Sequence, residues 1–447
     1  MTNESGSEVG TWLVAKLSDS LQTPPPRLTP RRVHGRVSLP GKASAVVGMR
    51  RAGKTFFLHQ LRQERVNGGT PRDRLPYLNF EDERLVGIKA EHLNSLVEAY
   101  YRERPALRGK ETVTWCFDEI QVVPGWERFV RRLLDSEKVE VFVTGSSASL
   151  LSREIATSLR GRAWEVVIHP FSFEESLRHS GVAVPMSPAM SAPERSTIEQ
   201  ALLRYLSVGG FPEAQGLDEP TRMQLLNGYV DVAMLRDVVE RHAVTNVAGL
   251  RWLLRHLMGN AGALFSVEKF YSSLKSQGFS ISKDTVHSLL AHVEDCFMVR
   301  TVWMEAGSER QRMVNPRKAY PVDPGLIPVF DRSGRRNLGH ALETAVLVEL
   351  ERRKASVTYV RTPSGYEVDF LARHADGTLE LIQVCADPGG RQAAEREIRA
   401  LQEAGRLHPK ARQTLLVLTR DADVPGLPSE ITRQAADEWL LFSEGLA

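Results

Sequence analysis

The stretch VVGMRRAGKTFFLHQL, residues 46–61, decides the fold. A short apolar run enters a turn with two glycines, two arginines and a Lys-Thr pair, then leaves in an amphipathic pattern. Gly48, Gly53, Lys54 and Thr55 complete the spacing G-x-x-x-x-G-K-[ST]. Glycines at those positions let the backbone turn tightly, with its N–H groups facing inward at phosphate oxygens. A helix beginning near Lys54 adds the positive end of its dipole. The loop Gly48, Met49, Arg50, Arg51, Ala52, Gly53, Lys54, Thr55, Phe56 is therefore expected to cradle the phosphates of a nucleotide. Lys54 is expected to reach the β- and γ-phosphates, and Thr55 to give a hydroxyl to Mg²⁺. The pattern leaves Arg50 and Arg51 unassigned: a phosphate, a neighbouring subunit and solvent all remain open.

Such a site needs an acidic residue at the end of a buried strand, and VTWCFDEIQ (113–121) supplies one. Asp118 is expected to hold Mg²⁺ through water, and Glu119 to orient and polarise the attacking water as the catalytic base. The next strand, VFVTGSS (141–147), ends in hydroxyls, so Thr144, Ser146 or Ser147 could meet the γ-phosphate or the water. Ser146 is taken as the catalytic candidate. Arg160 and Arg162 follow in SLRGRAWEV and are candidates to stabilise charge on a neighbour's γ-phosphate. Around these motifs, from residue 42 to about 175, β-rich runs alternate with helical stretches: 43–48, 75–80, 113–118, 139–145 and 163–169. That alternation predicts an α/β core with a mainly parallel sheet covered on both faces.

Composition narrows the class. A chain of 447 residues implies several domains. Its 42% hydrophobic and 25% charged residues are ordinary for globular protein. No apolar run approaches the roughly 18–20 residues that span a bilayer, and the polar start MTNESGSEVG does not read as a signal peptide. Cys116, Cys296 and Cys385 are scattered and odd in number, without zinc-ligand spacing. The expectation is a cytoplasmic protein without structural disulfides. A net charge of +3 permits nucleic acid without indicating it.

The chain divides into an N-terminal segment, 1–40, with a proline-rich stretch at 21–30, and the phosphate-loop core, 41–178. Small residues and prolines at 179–196 form a linker. Apolar spacings of three and four then predict helices over 196–260. A compact unit follows at 261–305, then an irregular piece at 315–326, and mixed α/β from 336 to 447.

The order of GMRRAGKT, YLNFEDERL, FDEIQVVPGWERFVRRLLD, VTGSSASLLSREIATSLRGR and HPFSFEESL resembles a widespread prokaryotic family. These are predicted AAA+ superfamily ATPases with a C-terminal PD-(D/E)xK nuclease-like domain of unknown function. YLSVGGFPEA (205–214) and GHALETAVLVELERR (339–353) are similar to that family's later segments, so the likeness runs from about residue 30 to 390. It implies an AAA+-type P-loop core followed by a helical lid, with ATP and Mg²⁺ bound. A homo-oligomer is the expected assembly, with a hexamer among the sizes open to it. In FEDERL the acidic residues Glu81, Asp82 and Glu83 either approach the nucleotide or, for Asp82, cap the next helix.

Residues 265–302 have the rhythm of a winged helix: an amphipathic helix ending at Gly278, a second helix capped by Ser280 or Ser282, then the strand FMVRTV. Lys275, Lys283 and His287 are the candidate DNA contacts. Asp284, Glu294 and Asp295 on the same helix would repel phosphate, and an architectural role is the alternative. In the last unit the nuclease-like pattern offers Glu343, Asp369 and Gln383, but Cys385 stands where the lysine belongs. A thiol supplies neither the lysine's charge nor a good match to hard Mg²⁺. A nuclease-like fold without cleavage is expected, with Arg391 or Arg396 as the basic residues that could replace the lysine. Two uses of ATP remain: an oligomeric motor or loader on DNA (duplex, forked or junction), or a nucleotide-dependent switch on a protein partner.

Overall fold

The computed structural model describes residues 4–145, 161–331, 337–386, 391–422 and 424–442. It contains two compact units, Met1–Ile168 and His169–Ala447.

The first unit is built on five parallel strands in the order β2-β3-β4-β1-β5. In chain order its elements are α1 (Glu4–Gln22), β1 (Ala43–Val47), α2 (Lys54–Asn67), β2 (Tyr77–Asn79), α3 (Ala90–Glu103), β3 (Val113–Asp118), α4 (Trp126–Ser136), β4 (Val139–Thr144) and β5 (Ala163–Val167). β1 and β3 are buried at every position, as parallel strands covered on both faces must be. On one face Val46, Phe142 and Val166 meet Phe57, Leu58 and Leu61 of α2. On the other, Trp115 and Phe117 stack 5.5 Å apart between Tyr100 of α3 and Phe129 of α4. β1 lies inside the sheet between β4 and β5, so the chain crosses over beside it. The strand ends there open the crevice in which such sheets place ligands.

α1 was not anticipated in the segment 1–40. Val9, Leu13, Leu17 and Leu21, four apart, put one face of it against α3 and β2. Its Lys16 Nζ pairs with Asp82 Oδ2 at 2.5 Å.

The second unit carries an eight-stranded sheet in the order β13-β12-β11-β10-β9-β7-β8-β6. Its first part is helical: α5 (Phe173–His179), α6 (Ala192–Val208), α7 (Glu219–Val232) and α8 (Val247–Gly259), with a π-helical stretch at Ala233–Glu240. Next come β6 (Leu264–Phe265), α9 (Val267–Ser276), α10 (Lys283–Asp295), β7 (Val299–Met304), α11 (Glu309–Val314), β8 (Arg317–Pro321) and α12 (Ile327–Phe330). The piece at 315–326, read as irregular, thus contains β8, which pairs antiparallel with both β7 and β6. The last part is α13 (Leu338–Arg352), β9 (Ser356–Arg361), β10 (Glu367–Arg373), β11 (Leu379–Cys385), α14 (Arg391–Leu407), β12 (Arg412–Val417), β13 (Ile431–Ala435) and α15 (Ala436–Phe442). β9, β10 and β11 run antiparallel, and β12 and β13 continue parallel to β11.

Two contacts tie this unit together. β7 pairs in parallel with β9 through Trp303–Thr358 and Met304–Tyr359. Beside that seam Glu305 N donates to Tyr359 O at 2.7 Å, and Glu305 takes Thr358 Oγ1 at 2.8 Å and Arg373 Nη2 at 2.7 Å. Asp323, buried, accepts from Gly210 N at 2.6 Å and Gly325 N at 2.9 Å. A Cβ on Gly209, whose φ is +78°, would lie 1.8 Å from Asp323 Oδ1, so YLSVGGFPEA and YPVDPGL are fitted to each other. Burial pushes the Asp323 carboxyl up to about 7 against the pull of those two N–H groups.

Candidate functional site

The phosphate loop connects β1 to α2. Gly48 has φ +144°, and a Cβ there would meet the Ile168 carbonyl oxygen at 2.1 Å, so nothing larger than glycine fits. Gly53 takes φ +106° as the residue before α2, and Arg51 is also left-handed at φ +65°. Met49 and Ala52 are buried beneath the turn, while Arg51 and Phe56 face outward. Lys54, almost fully buried, donates to Gly48 O at 3.0 Å and Met49 O at 3.2 Å.

Asp118 ends β3, directly across from α2, and is fully buried. Its Oδ2 accepts from Thr55 Oγ1 at 2.8 Å, Tyr77 OH at 2.8 Å and Asn79 Nδ2 at 3.0 Å. Its Oδ1 accepts from Thr144 Oγ1 at 2.6 Å. Four donors on one carboxylate hold it in one orientation. Burial, then the Asp118 charge, pushes the Tyr77 phenol far up, so it stays a donor. Thr144 Oγ1 also accepts from Glu119 N at 2.8 Å, which ties β4 to the residue after Asp118. Glu119 is held at φ +54°, a left-handed conformation that costs a non-glycine residue about 1–2 kcal/mol. Its carboxylate accepts from Gln121 Nε2. Burial raises its affinity for a proton, while the Lys54 ammonium opposes that.

Three side chains around the loop were not singled out in the sequence. Arg31, from the RLTPRR segment, sends Nη1 to Ala52 O at 2.8 Å, and its own backbone is clasped by Gln60 through bonds of 2.6 and 2.9 Å. Tyr77 and Asn79, two apart on β2, share a face aimed at Asp118; polar residues alternating on a buried strand were the available signal. Arg50, unassigned by the motif, pairs with Glu81 at 3.2 Å, so the acidic segment after β2 does approach the loop. Asp82 instead accepts from Arg84 N, capping a 3₁₀ turn, and its bonds to Arg84 and Lys16 hold its carboxyl far below the usual range.

Arg162 lies at the opposite edge of the sheet. Its carbonyl accepts from Ala43 N at 2.8 Å, at the start of β1, and its side chain pairs with Asp135. A five-residue strand spans about 17 Å, so Arg162 is remote from the loop of its own chain. Ser146, Ser147 and Arg160 lie outside the described residues.

In the second unit α8, β6, α9, α10, β7 and β8 follow one another, with the strands ordered β7-β8-β6. The outward face of α10 presents Lys283, Asp284 and His287. Lys283 pairs with Glu268, and Lys275 stands over the Tyr271 ring at 5.9 Å. Glu294 turns inward to Thr301 and Arg317 and does not face a groove, which corrects its reading as a phosphate-repelling surface charge.

Glu343, Asp369 and Gln383 do converge, but with a partner the sequence reading missed. Lys318 of β8 enters the cluster and contacts Asp369 Oδ1 and Glu367 Oε1, each at 2.8 Å. Gln383 spends its amide on Asp369: Nε2 donates to Oδ2 at 2.9 Å, and its carbonyl accepts from Asp369 N at 3.3 Å. This carbonyl thus faces the backbone of β10. Glu343 accepts from Tyr320 OH at 3.0 Å, and burial with the nearby Asp369 charge pushes its carboxyl up to about 8, although one edge stays accessible. Arg396 pairs with its neighbour Glu397 at 2.5 Å. Among the described residues no group of three or more His, Cys, Asp or Glu is placed to hold a metal ion, and no helix is long and apolar enough to cross a membrane.

Residues 40–177 match the model of an AAA domain, and residues 199–335 that of a domain of unknown function. An uncharacterized protein of Methanocaldococcus jannaschii is 37% identical over 376 residues, covering 82% of this chain and 79% of that protein. One of Haemophilus influenzae is 30% identical over 335 residues, covering 75% and 80%. A Walker-type ATPase of Pyrococcus abyssi aligns over 71% of this chain and 94% of its own, at 16% identity and a TM-score of 0.39. The Aeropyrum pernix Orc1 protein, solved in complex with DNA, aligns over 72% and 91%, at 15% identity and a TM-score of 0.27. Scores this low do not define a shared fold over those lengths.

Proposed function

This chain, with an AAA domain at residues 40–177, belongs to the same family as the Methanocaldococcus and Haemophilus relatives, and from that premise we propose that it binds and hydrolyses ATP with Mg²⁺. One observation carries the reading: the hydroxyl of Thr55 in the phosphate loop and the carboxylate of Asp118 meet at 2.8 Å. The donor set fits the cofactors. The glycine-shaped turn and the N-terminus of α2 suit phosphate, Lys54 supplies a cation, and Thr55 with Asp118 suits a hard cation that keeps water. Bound Mg²⁺ would neutralise phosphate charge; Glu119, held against Thr144, would orient the attacking water. Lys54→Ala should abolish nucleotide binding, whereas Glu119→Gln should keep binding and lose turnover. Turnover by Glu119→Gln at the wild-type rate would remove Glu119 from this role.

The site's work is read as DNA-directed and oligomeric. The order α8-β6-α9-α10-β7-β8 supports a winged-helix reading, and the position of Arg162 favours a reach toward a neighbouring subunit over its own loop. The order α13-β9-β10-β11-α14-β12 supports a nuclease-like fold. A second reading, a switch on a protein partner, is favoured by a specific surface. Lys283 is already paired, and Met313 and Val314 on the β7–β8 connection are 73% and 77% exposed. A salt titration of duplex and forked DNA binding, with and without ATP, separates the two. Steep salt dependence supports DNA; binding at background supports the protein partner.

A further inference from the structure

We propose that Lys318 is the resident cation of the carboxylate cluster formed by Glu343, Glu367 and Asp369, so that this cluster is an internal ion-pair core and not a metal-dependent cleavage site. The inference rests on side chains, whatever the second unit acts on. The Lys318 side chain is only 3% exposed, yet it contacts two carboxylates at 2.8 Å. A buried ammonium persists only where anions compensate the water it has lost. The shared approach to Asp369 and Glu367 is the place a divalent cation would need.

Both oxygens of Asp369 are also taken. Asp369 Oδ1 takes Lys318, and Oδ2 takes both Gln383 Nε2 at 2.9 Å and Val384 N at 3.0 Å. A metal approaching Oδ2 would face an amide N–H₂ and a backbone N–H, both donors. The carbonyl of Gln383 points at Asp369 N. Cys385, where the nuclease-like pattern has its lysine, ends β11 and is buried. A positive charge has thus been kept in this region, but it comes from β8, 51 residues before Asp369. From there it offsets part of the charge of these acids. Sequence inspection around β11 could not find it, because β8 reaches the cluster only through the folded sheet.

The test uses the full-length protein without nucleotide, titrated with Mn²⁺ and followed by the loss of the free Mn²⁺ paramagnetic resonance signal. The wild type is expected to hold no Mn²⁺ at this cluster, and its melting temperature should not move with Mn²⁺ or Mg²⁺. Lys318→Met keeps most of the length of the side chain and removes its charge. It is expected to melt earlier than the wild type, to bind one Mn²⁺ per chain, and to recover stability as Mn²⁺ is added. Binding of one Mn²⁺ by the wild type, lost in Asp369→Asn and kept in Lys54→Ala, would overturn the proposal. Wild-type binding that Asp369→Asn retains lies elsewhere and leaves it standing. A folded Lys318→Met that binds no Mn²⁺ would also overturn it. If Lys318→Met does not fold, the comparison of wild type with Asp369→Asn still decides. No arm depends on ATP turnover, so failure here is distinct from failure of the ATPase reading.

Discussion

Replacing Thr144 by valine keeps the shape of the side chain and deletes one hydroxyl. That hydroxyl donates to Asp118 at 2.6 Å and accepts from Glu119 N at 2.8 Å. Losing a bond to a buried carboxylate costs about 1.5–3 kcal/mol, and leaving a buried N–H without an acceptor about 1–3 kcal/mol. With some relaxation, the first unit should lose about 3–5 kcal/mol, a large share of ordinary domain stability. The effect on chemistry should exceed the effect on binding. Asp118 retains three donors, so its position beneath Thr55 survives. Glu119 loses the bond that holds its backbone at φ +54° and is free to relax out of that conformation. A displaced general base forfeits roughly 10²–10⁴ in rate when lost entirely, so a fall in turnover of roughly 10–100-fold is expected. Nucleotide affinity should change little. Chemical denaturation, a fluorescent-nucleotide titration and steady-state phosphate release measure the three quantities. Thr144→Ser restores the hydroxyl and gives up one methyl, worth about 1 kcal/mol. If Thr144→Val matches Thr144→Ser in stability and turnover, the hydroxyl does not hold this site together and the argument fails.

Gly48→Ala should cost more than about 2 kcal/mol and abolish nucleotide binding, because its Cβ would meet the Ile168 carbonyl oxygen at 2.1 Å, a backbone atom that cannot rotate away; denaturation and nucleotide titration check this. Arg31→Ala removes the bond to Ala52 O but not the backbone clasp by Gln60, so nucleotide affinity should drop by roughly tenfold with the first unit still folded. Asp323 has a folded pKa of about 7, above its unfolded value, so the unfolded chain ionises first as pH rises. Its contribution should favour folding least at and above pH 7 and recover as pH falls toward the unfolded carboxylate range. Asp323→Asn should flatten that slope in melts across the range.

The phosphate loop could be read from sequence because its geometry is local: Gly48, Gly53, Lys54 and Thr55 carry their own turn and helix start. Asp118 could be read because a buried strand leads straight into it. Thr144 was one of three hydroxyls within four residues, and the register of β4 beside β3 shows that it reaches Asp118. Arg31 was hidden because it acts from a segment without regular structure, where no period marks which side chain turns inward. α1 was overlooked even though its spacing was visible, since its polar first turn and the prolines after it masked four well-spaced apolar residues. β8 was overlooked because Pro316 and Pro321 bracket a short strand. Missing β8 also meant missing Lys318, which made the last unit look short of a cation.

The seam between β7 and β9 bears on how the chain can be divided. The family match ends at residue 335, yet β9, Tyr359 and Arg373 all lie beyond it. A protein truncated there would keep β7 but lose the strand that covers it, leaving Trp303 and Met304 on an open edge ready to pair with another molecule. The two halves of the second unit are therefore expected to be inherited and expressed together. A fragment cut at that boundary should aggregate, whereas one beginning near residue 169 and running to the end keeps its sheet whole.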